Sequence, residues 1–423
     1  MAKKTDQQTP KSQPAPAAQQ PSLVSPAQQQ PAPAGAPAQA TQPGQQAPAG
    51  QQTAEGQQQP QQEQIQVNYS VSGGLRARLE QLGVSIVFTS YQSGLVYLIG
   101  RRPEGGISIH HTRVPKPMGV CADESVGGFM LAGDYQIYRF ANVLDGNERA
   151  NEAFDACYVP RQTWLTGRLD SHDIGIDGDG RPLFVNTRYN CLATVAPRYS
   201  FQSVWQPPFI TDLIDEDRCH LNGLAMEDGK PRYVTVVSRS NTIDGWRDRR
   251  ETGGAVVDVQ SGEIVCDGLS MPHSPRIHDG KLWILNSGTG DLGFVHLKGR
   301  SKGKFESIAF CPGFVRGLAF RGGFAFVGLS KPRYQRFEGL ELEDRLKQAD
   351  SEPWCGVQII ELSSRTCVDW LRIDGQIAEL YDVDILSGPA CPMAVSADSS
   401  EAAQLTKFRP MDPPAGDSAD SNA

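Results

Sequence analysis

The sequence predicts an all-β fold of radially repeated sheets, a β-propeller, and three observations point there. One unit (short apolar strand, glycine turn, second apolar strand, small polar exit) occurs twice within residues 268–330, as SPRIHDGKLWILNSG and RGLAFRGGFAFVGLS. The copies align on Gly280 and Gly323, which puts His273 level with Arg316. The same opening pattern recurs near Met118, His172, His220 and, more weakly, Glu379, giving successive intervals of 54, 48, 53, 43 and 63 residues. A period near fifty holds four short strands with their loops, and a unit that cannot bury both faces alone must stack on its neighbours around an axis. Clear helical periodicity near the front is confined to one short segment. Six blades are expected, with seven the alternative count and two packed β-domains a more remote one.

Taken in order, residues 1–66 are mostly Gln, Pro, Ala and Gly, a low-complexity composition that cannot offset its own ordering entropy. They are expected to form a disordered tail, with the folded domain spanning 67–392. GLRARLEQLG at 74–83 sets Leu75, Leu79 and Leu82 on one helical face. VSIVFTSYQSGLVYLIGRR then alternates apolar and polar residues around Ser93-Gly94, a hairpin signal. Its strands near 87–99 are placed to pair with the last strands and close the ring. Polar insertions at 142–165, 241–251 and 331–353 are expected on one face or the rim. Residues 393–423, rich in Ser, Ala, Asp and Pro, read as a second, acidic disordered tail.

Composition narrows the function. Net charge is −8 and no basic run exceeds Lys3-Lys4, which argues against nucleic acid, whose phosphates need clustered Lys and Arg. No apolar stretch approaches a transmembrane helix and no secretory signal follows Lys3-Lys4, so no membrane partner is expected. Nine cysteines occur singly, without a C-x-x-C pair, and read as reduced thiols in a cytoplasmic protein.

In a propeller the innermost strand of every blade faces the central channel, so polar residues at the strand openings converge on the axis. Here they are His172 with Asp173, His220 with Asn222, His273 with Ser274, Arg316, and Glu379 or Asp382. Neutral imidazoles from separate strands, with one position left open, suit Zn, Fe or Mn, and such a divalent metal lowers the pKa of bound water to about 7. His172, His220 and His273 are therefore the candidate metal ligands. Arg316 offers a bidentate fork to a carboxylate or phosphate, and with Asn222 and Asp173 it forms the candidate substrate-binding set for a small anionic molecule. A lyase or hydrolase fits such a site.

Register tempers the metal reading. Counting back from the turn glycines puts Asp173, Asn222, His273 and Arg316 level, with His172 and His220 one and two residues upstream. An offset of one residue turns a strand side chain to the other face. Two alternatives therefore stay open: a hydrogen-bonded polar plug closing the channel, and a non-catalytic scaffold that binds a protein partner on its loop face with the Gln/Pro-rich tail as tether.

Other motifs are weaker. Gly288–Gly293 spells G-x-G-x-x-G, but between two strands it lacks the helix N-terminus that phosphate binding needs. Asp177-Gly178-Asp179-Gly180 lacks the downstream glutamate of a calcium loop and reads as a turn. Ser171-His172-Asp173 are sequence neighbours, which is no evidence for a catalytic triad. Trp246 with Arg247, Arg249 and Arg250 forms a loop that either caps the channel mouth or is solvated surface.

HLNGLA (220–225), MPHSPR (271–276), LWILNSGTGDLG (282–293), CPGFVRGLAF (311–320) and FVGLSKPR (326–333) together resemble an uncharacterised family of mostly bacterial conserved hypothetical proteins. The resemblance covers about residues 84–390. It implies a domain of unknown function and no activity. In fold alone the chain is similar to six-bladed propeller enzymes such as the gluconolactonase and peptidyl-amidating lyase groups, which hold an axial metal through carboxylate and amide groups or histidines. No motif here follows theirs in order.

Overall fold

The computed structural model describes residues 67–333 and 336–409. The expected tail at 1–66 lies outside the described residues, as do 410–423. Six antiparallel sheets surround one axis, each starting with the strand nearest it. Blade one runs Val120–Asp123, Gly128–Ala132, Gln136–Asn142, Ala156–Leu165, and blade two Ile174–Ile176, Pro182–Asn186, Cys191–Thr194, Gln202–Trp205. Blade three is Leu221–Glu227, Lys230–Val236, Gly254–Asp258, Ile264–Leu269, and blade four Pro272–His278, Lys281–Asn286, Asp291–Val295, Phe305–Phe310. Blade five is Phe314–Arg321, Phe324–Ser330, Cys355–Glu361, Thr366–Gly375. The protein is a six-bladed β-propeller.

Blade six closes the ring. Its innermost strand, Val383–Ser387, comes from the far end of the domain and pairs with Val84–Ser90, followed by Leu95–Arg101 and Ile107–Arg113. The hairpin at 84–102 thus meets the last strands, as its position in the sequence implies. Val67–Val71 adds a fifth strand outside blade five, and helix Leu75–Leu82 buries Leu75 and Leu79 in the same apolar cluster as Phe88, Tyr97 and Phe326. Apolar side chains on both faces of each sheet fill the wedges between blades. Phe88 on Tyr97 and Phe129 on Phe140 stack with ring centroids 4.7 Å apart.

Three seams between blades share one design. The hydroxyls of Thr89, Thr187 and Ser287 each donate, at 2.6 Å, to a carbonyl of the following blade (Met118, Leu221 and Val315). At the same seams a side-chain oxygen accepts a backbone N–H from that blade: Asp382 from Val120, Asp173 from Leu224, and Ser274 from Gly317. Glycine lets the backbones approach at the alternate seams, one–two and five–six. A Cβ on Gly119 would lie 2.8 Å from the Asp173 Cα, and one on Gly317 (φ 78°) would overlap the Val383 nitrogen. Blades two, four and six thus hold blades three, five and one by this pair of bonds, while glycine close approaches and the Ser330 hydroxyl on the Leu380 carbonyl join the seams between them.

Two expected boundaries change. Residues 156–165 are the outer strand of blade one, not part of an insertion: Ala156, Cys157, Tyr158 and Val159 are all buried, and Arg161, Gln162 and Thr163 are exposed. The C-terminal tail does not begin at 393. Pro392–Ala394 pairs in parallel with Ala156–Tyr158, and helix Ser400–Gln404 follows, capped by the Ser399 hydroxyl. Met393, Val395, Ala402 and Leu405 cover Cys157 and Val159, burial that a count of Ser, Ala and Asp does not register. The insertion at 331–353 carries a helix, Glu341–Gln348, whose Leu342 and Leu346 are buried against Val237, Trp246 and Phe314.

Candidate functional site

The inner strands begin around a cavity of about 620 Å³ at one end of the channel. Its cations are Lys116, Arg247, Arg250, Arg316, Lys331, Arg333 and Arg336, against the acids Asp170, Asp217, Glu338 and Glu379. Met271, Phe314, Phe337 and Trp246 supply apolar wall. The cavity is thus cationic on balance and apolar along part of its wall, which suits an organic anion.

His172 and His220 both line it. They precede the regular strands, which start at Ile174 and Leu221, so the alternation of faces does not apply to them. His172 Nδ1 lies 2.8 Å from the Asp170 carbonyl and 2.7 Å from the Thr187 hydroxyl. A carbonyl only accepts, so Nδ1 carries the proton and Nε2 keeps its lone pair. Burial and the neighbouring His220 push the His172 pKa well below the usual imidazole value. His220 is held differently: its Nδ1 lies 2.8 Å from Asp217 Oδ2, which also accepts from Trp246 Nε1 at 3.1 Å. Its ring stacks on Trp246 (centroids 4.1 Å apart) and meets His172 edge to face at 4.8 Å. A carboxylate fixing Nδ1 leaves Nε2 as the working atom, the arrangement of a general base.

His273 repeats the His172 pattern one layer deeper. Its Nδ1 donates to the Met271 carbonyl at 2.8 Å, beside the Ser287 hydroxyl, and its Nε2 faces Asn222 Nδ2 at 3.3 Å. Burial and Arg316 keep it neutral. The three imidazoles do not converge on one point, because the His273 lone pair is already met by Asn222. Among the described residues no group of three His, Cys, Asp or Glu side chains could hold a metal ion.

Of the three candidate substrate-binding residues, only Arg316 lines the cavity. It is 8% exposed, sandwiched between Phe314 and Tyr381 at 4.8 and 5.1 Å from the ring centroids. Asn222 is tied to His273 and to the Thr235 hydroxyl. Asp173 lies below, in a plug across the channel. Arg276 reaches it from blade four, with Nη1 2.8 Å from Oδ2 and Nη2 3.2 Å from Oδ1, and stands 3.6 Å from Asp382. Burial opposes the charge on Arg276, but Asp173 and Asp382 hold the guanidinium protonated. Burial and Asp173 push Asp382 well above the carboxylate range. Below the plug a smaller cavity of about 250 Å³ is lined by Cys121, Met226 and Asp384.

Asp217, Tyr91, Arg333 and Tyr381 do not stand out in the sequence, and Glu379 does so only as one of two alternatives at the sixth strand opening. Arg333 donates to Glu379 Oε1 at 2.6 Å, and Arg316 Nη1 stands 4.0 Å from Glu379 Oε2. Arg316 Nε, Glu379 Oε2 and the Tyr381 hydroxyl are buried without a hydrogen-bond partner among the described residues. Each such atom costs about 1–3 kcal/mol if left unmet. Asp217 is legible only as D-x-x-H before His220, a spacing too common to stand out.

The profile of a domain of unknown function, DUF4915, matches residues 74–395. The chain belongs to the DUF4915 family. No curated protein matches the sequence. Among solved structures, this DUF4915 chain is similar to a chain of a nidogen/laminin complex (11% identity, 72% of this chain and 99% of that one, TM-score 0.45). It is also similar to virginiamycin B lyase from Staphylococcus aureus (10% identity, 73% and 99%, TM-score 0.34). A protein of unknown function from Bacteroides caccae gives 9% identity, 72% and 99%, and TM-score 0.31.

Proposed function

We propose that the DUF4915 cavity binds a small organic anion, and that His220, oriented by Asp217, acts on it as a general base in lyase- or hydrolase-type chemistry. The supporting observation is Arg316: a buried guanidinium between two aromatic rings, its Nε without a hydrogen-bond partner among the described residues, lining the same cavity as His172 and His220. Arg333 and Lys331 add positive charge at the mouth. Isothermal titration against a panel of small carboxylates and phosphates tests it. Wild type should bind at least one member, and Arg316→Gln should lose that binding by about tenfold or more. If no member binds, or Arg316→Gln binds as wild type does, the proposal fails.

The plugged axis favours a second reading, a non-catalytic scaffold with partners on the loop face. His220→Gln separates the two. Anion binding that survives while turnover of the bound compound stops supports the enzyme. Metal content by mass spectrometry, beside a His220→Ala, His273→Ala double variant, checks the Zn, Fe or Mn reading. Stoichiometric metal lost in the variant would establish it.

A further inference from the structure

Besides Asp217, three residues lining the cavity each carry a buried polar atom with no hydrogen-bond partner among the described residues, and together they define a chemical pattern. Arg316 Nε is a donor, Glu379 Oε2 an acceptor, and the Tyr381 hydroxyl serves as either. Their residues are 8%, 4% and 5% exposed, so bulk water does not solvate them freely. All three line the cavity. Glu379 and Tyr381 lie two positions apart in the segment leading into blade six, whose intervening Leu380 carbonyl is fixed by the Ser330 hydroxyl at 2.8 Å. Tyr381 meets Tyr91 and His172 edge to face, with centroids 5.3 and 5.5 Å away. Neither phenol ring is therefore free to turn aside.

A plain carboxylate satisfies only part of this pattern. It accepts from Arg316 and from Tyr381, but it offers nothing to Glu379 Oε2, and its own charge faces that oxygen. A ligand with a hydroxyl beside its carboxylate satisfies all three: the carboxylate accepts from Arg316 and the hydroxyl donates to Glu379. We infer that the DUF4915 cavity selects 2-hydroxy carboxylic acids, with the carboxylate on Arg316, the 2-hydroxyl on Glu379 and Tyr381, and the apolar remainder against Phe314, Phe337 and Trp246. This rests on the anion-binding reading above. Burial, then a hydrogen bond to Glu379 and that carboxylate's charge, push the Tyr91 phenol up to about 12, and burial raises Tyr381 as well, so both hydroxyls keep their protons at neutral pH.

The test compares two acids of one skeleton, phenylacetate and mandelate, which differ only by the 2-hydroxyl. Titration calorimetry on the full chain should show one mandelate enantiomer binding at least about tenfold tighter than phenylacetate, since a hydrogen bond to a charged acceptor is worth that much. Glu379→Gln should shrink the preference to about threefold or less, with phenylacetate binding more tightly than to wild type because the facing charge is gone. Tyr381→Phe, a smaller change, should reduce the preference partway. Arg316→Gln should weaken both acids alike. Equal binding of the two acids by wild type would mean that water meets Glu379, and the 2-hydroxy assignment would be wrong while anion binding stood. A preference unchanged in both Glu379→Gln and Tyr381→Phe would also overturn it. Binding of neither acid, nor of any other carboxylate or phosphate, would remove the anion site and this assignment together.

Discussion

Replacing Arg276 with Met, which keeps the chain length and removes the charge, should destabilise the propeller by about 3–5 kcal/mol at pH 8. The guanidinium makes contacts of 2.8 and 3.2 Å to Asp173, donates to the Leu224 carbonyl at 3.0 Å, and stands 3.6 Å from Asp382. Asp173 and Asp382 are 2% and 3% exposed, so without Arg276 two carboxylates are left in a low-dielectric axis without their counter-charge. Such groups take up protons instead of staying charged. The loss should therefore shrink as pH falls, at up to about 1.4 kcal/mol per pH unit for each proton taken up. Urea unfolding of wild type and Arg276→Met at pH 8 and pH 5 measures both effects. A loss below about 1 kcal/mol at pH 8, or one that stays the same at pH 5, would show that the plug is not an electrostatic lock.

Burial holds His172 and His273 below the usual imidazole value, so their contribution to stability is present above about pH 6.5 and is lost as pH falls toward their folded values. His172→Gln should flatten the fall in stability between pH 6.5 and pH 5 by about 1.4 kcal/mol per pH unit, read from urea midpoints. Asp382 and Asp384 act in the opposite sense: their raised values give stability that is full at low pH and lost as pH rises through them. Gly317→Ala forces a side chain onto a left-handed backbone against the Val383 nitrogen and should cost about 3 kcal/mol or more. A loss under 1 kcal/mol would mean the blade five–blade six contact is loose. Ending the chain at residue 391 uncovers Cys157 and Val159, and should lower the thermal midpoint and raise dye binding to exposed apolar surface. An unchanged midpoint would return 393–409 to the status of a tail.

The six blades and the ring closure were legible because each blade repeats a strand–glycine–strand signal that survives loops of any length. The chemistry was half legible. His172, His220 and Arg316 stand out at the strand openings and do reach the cavity. His273, Asn222 and Asp173 stand out equally, and are instead committed to one another or to Arg276 beneath it. The sequence suggests three equivalent histidines in consecutive blades. By hydrogen bonding, the equivalent positions are His172, His273 and Tyr381, in alternate blades, each followed by the residue that grips the next blade. His220 belongs to a different set, and its partner Asp217 is fixed by a loop conformation that spacing does not reveal. Tyr381 is thus the structural counterpart of His172 and His273, which a run of histidines in the sequence does not reveal.

The order of strands in blade six also bears on how the protein is made. Three of its strands, Val84–Ser90 to Ile107–Arg113, leave the ribosome early, while the fourth, Val383–Ser387, follows nearly three hundred residues later. Glu379, Tyr381 and Asp382 arrive with that last strand. A nascent chain can pack blades one to five in turn, yet it has no complete ring, no finished plug and only part of its cavity wall until the end of synthesis. A premature stop anywhere before Val383 would therefore yield a chain without the site, not one with a weakened version of it.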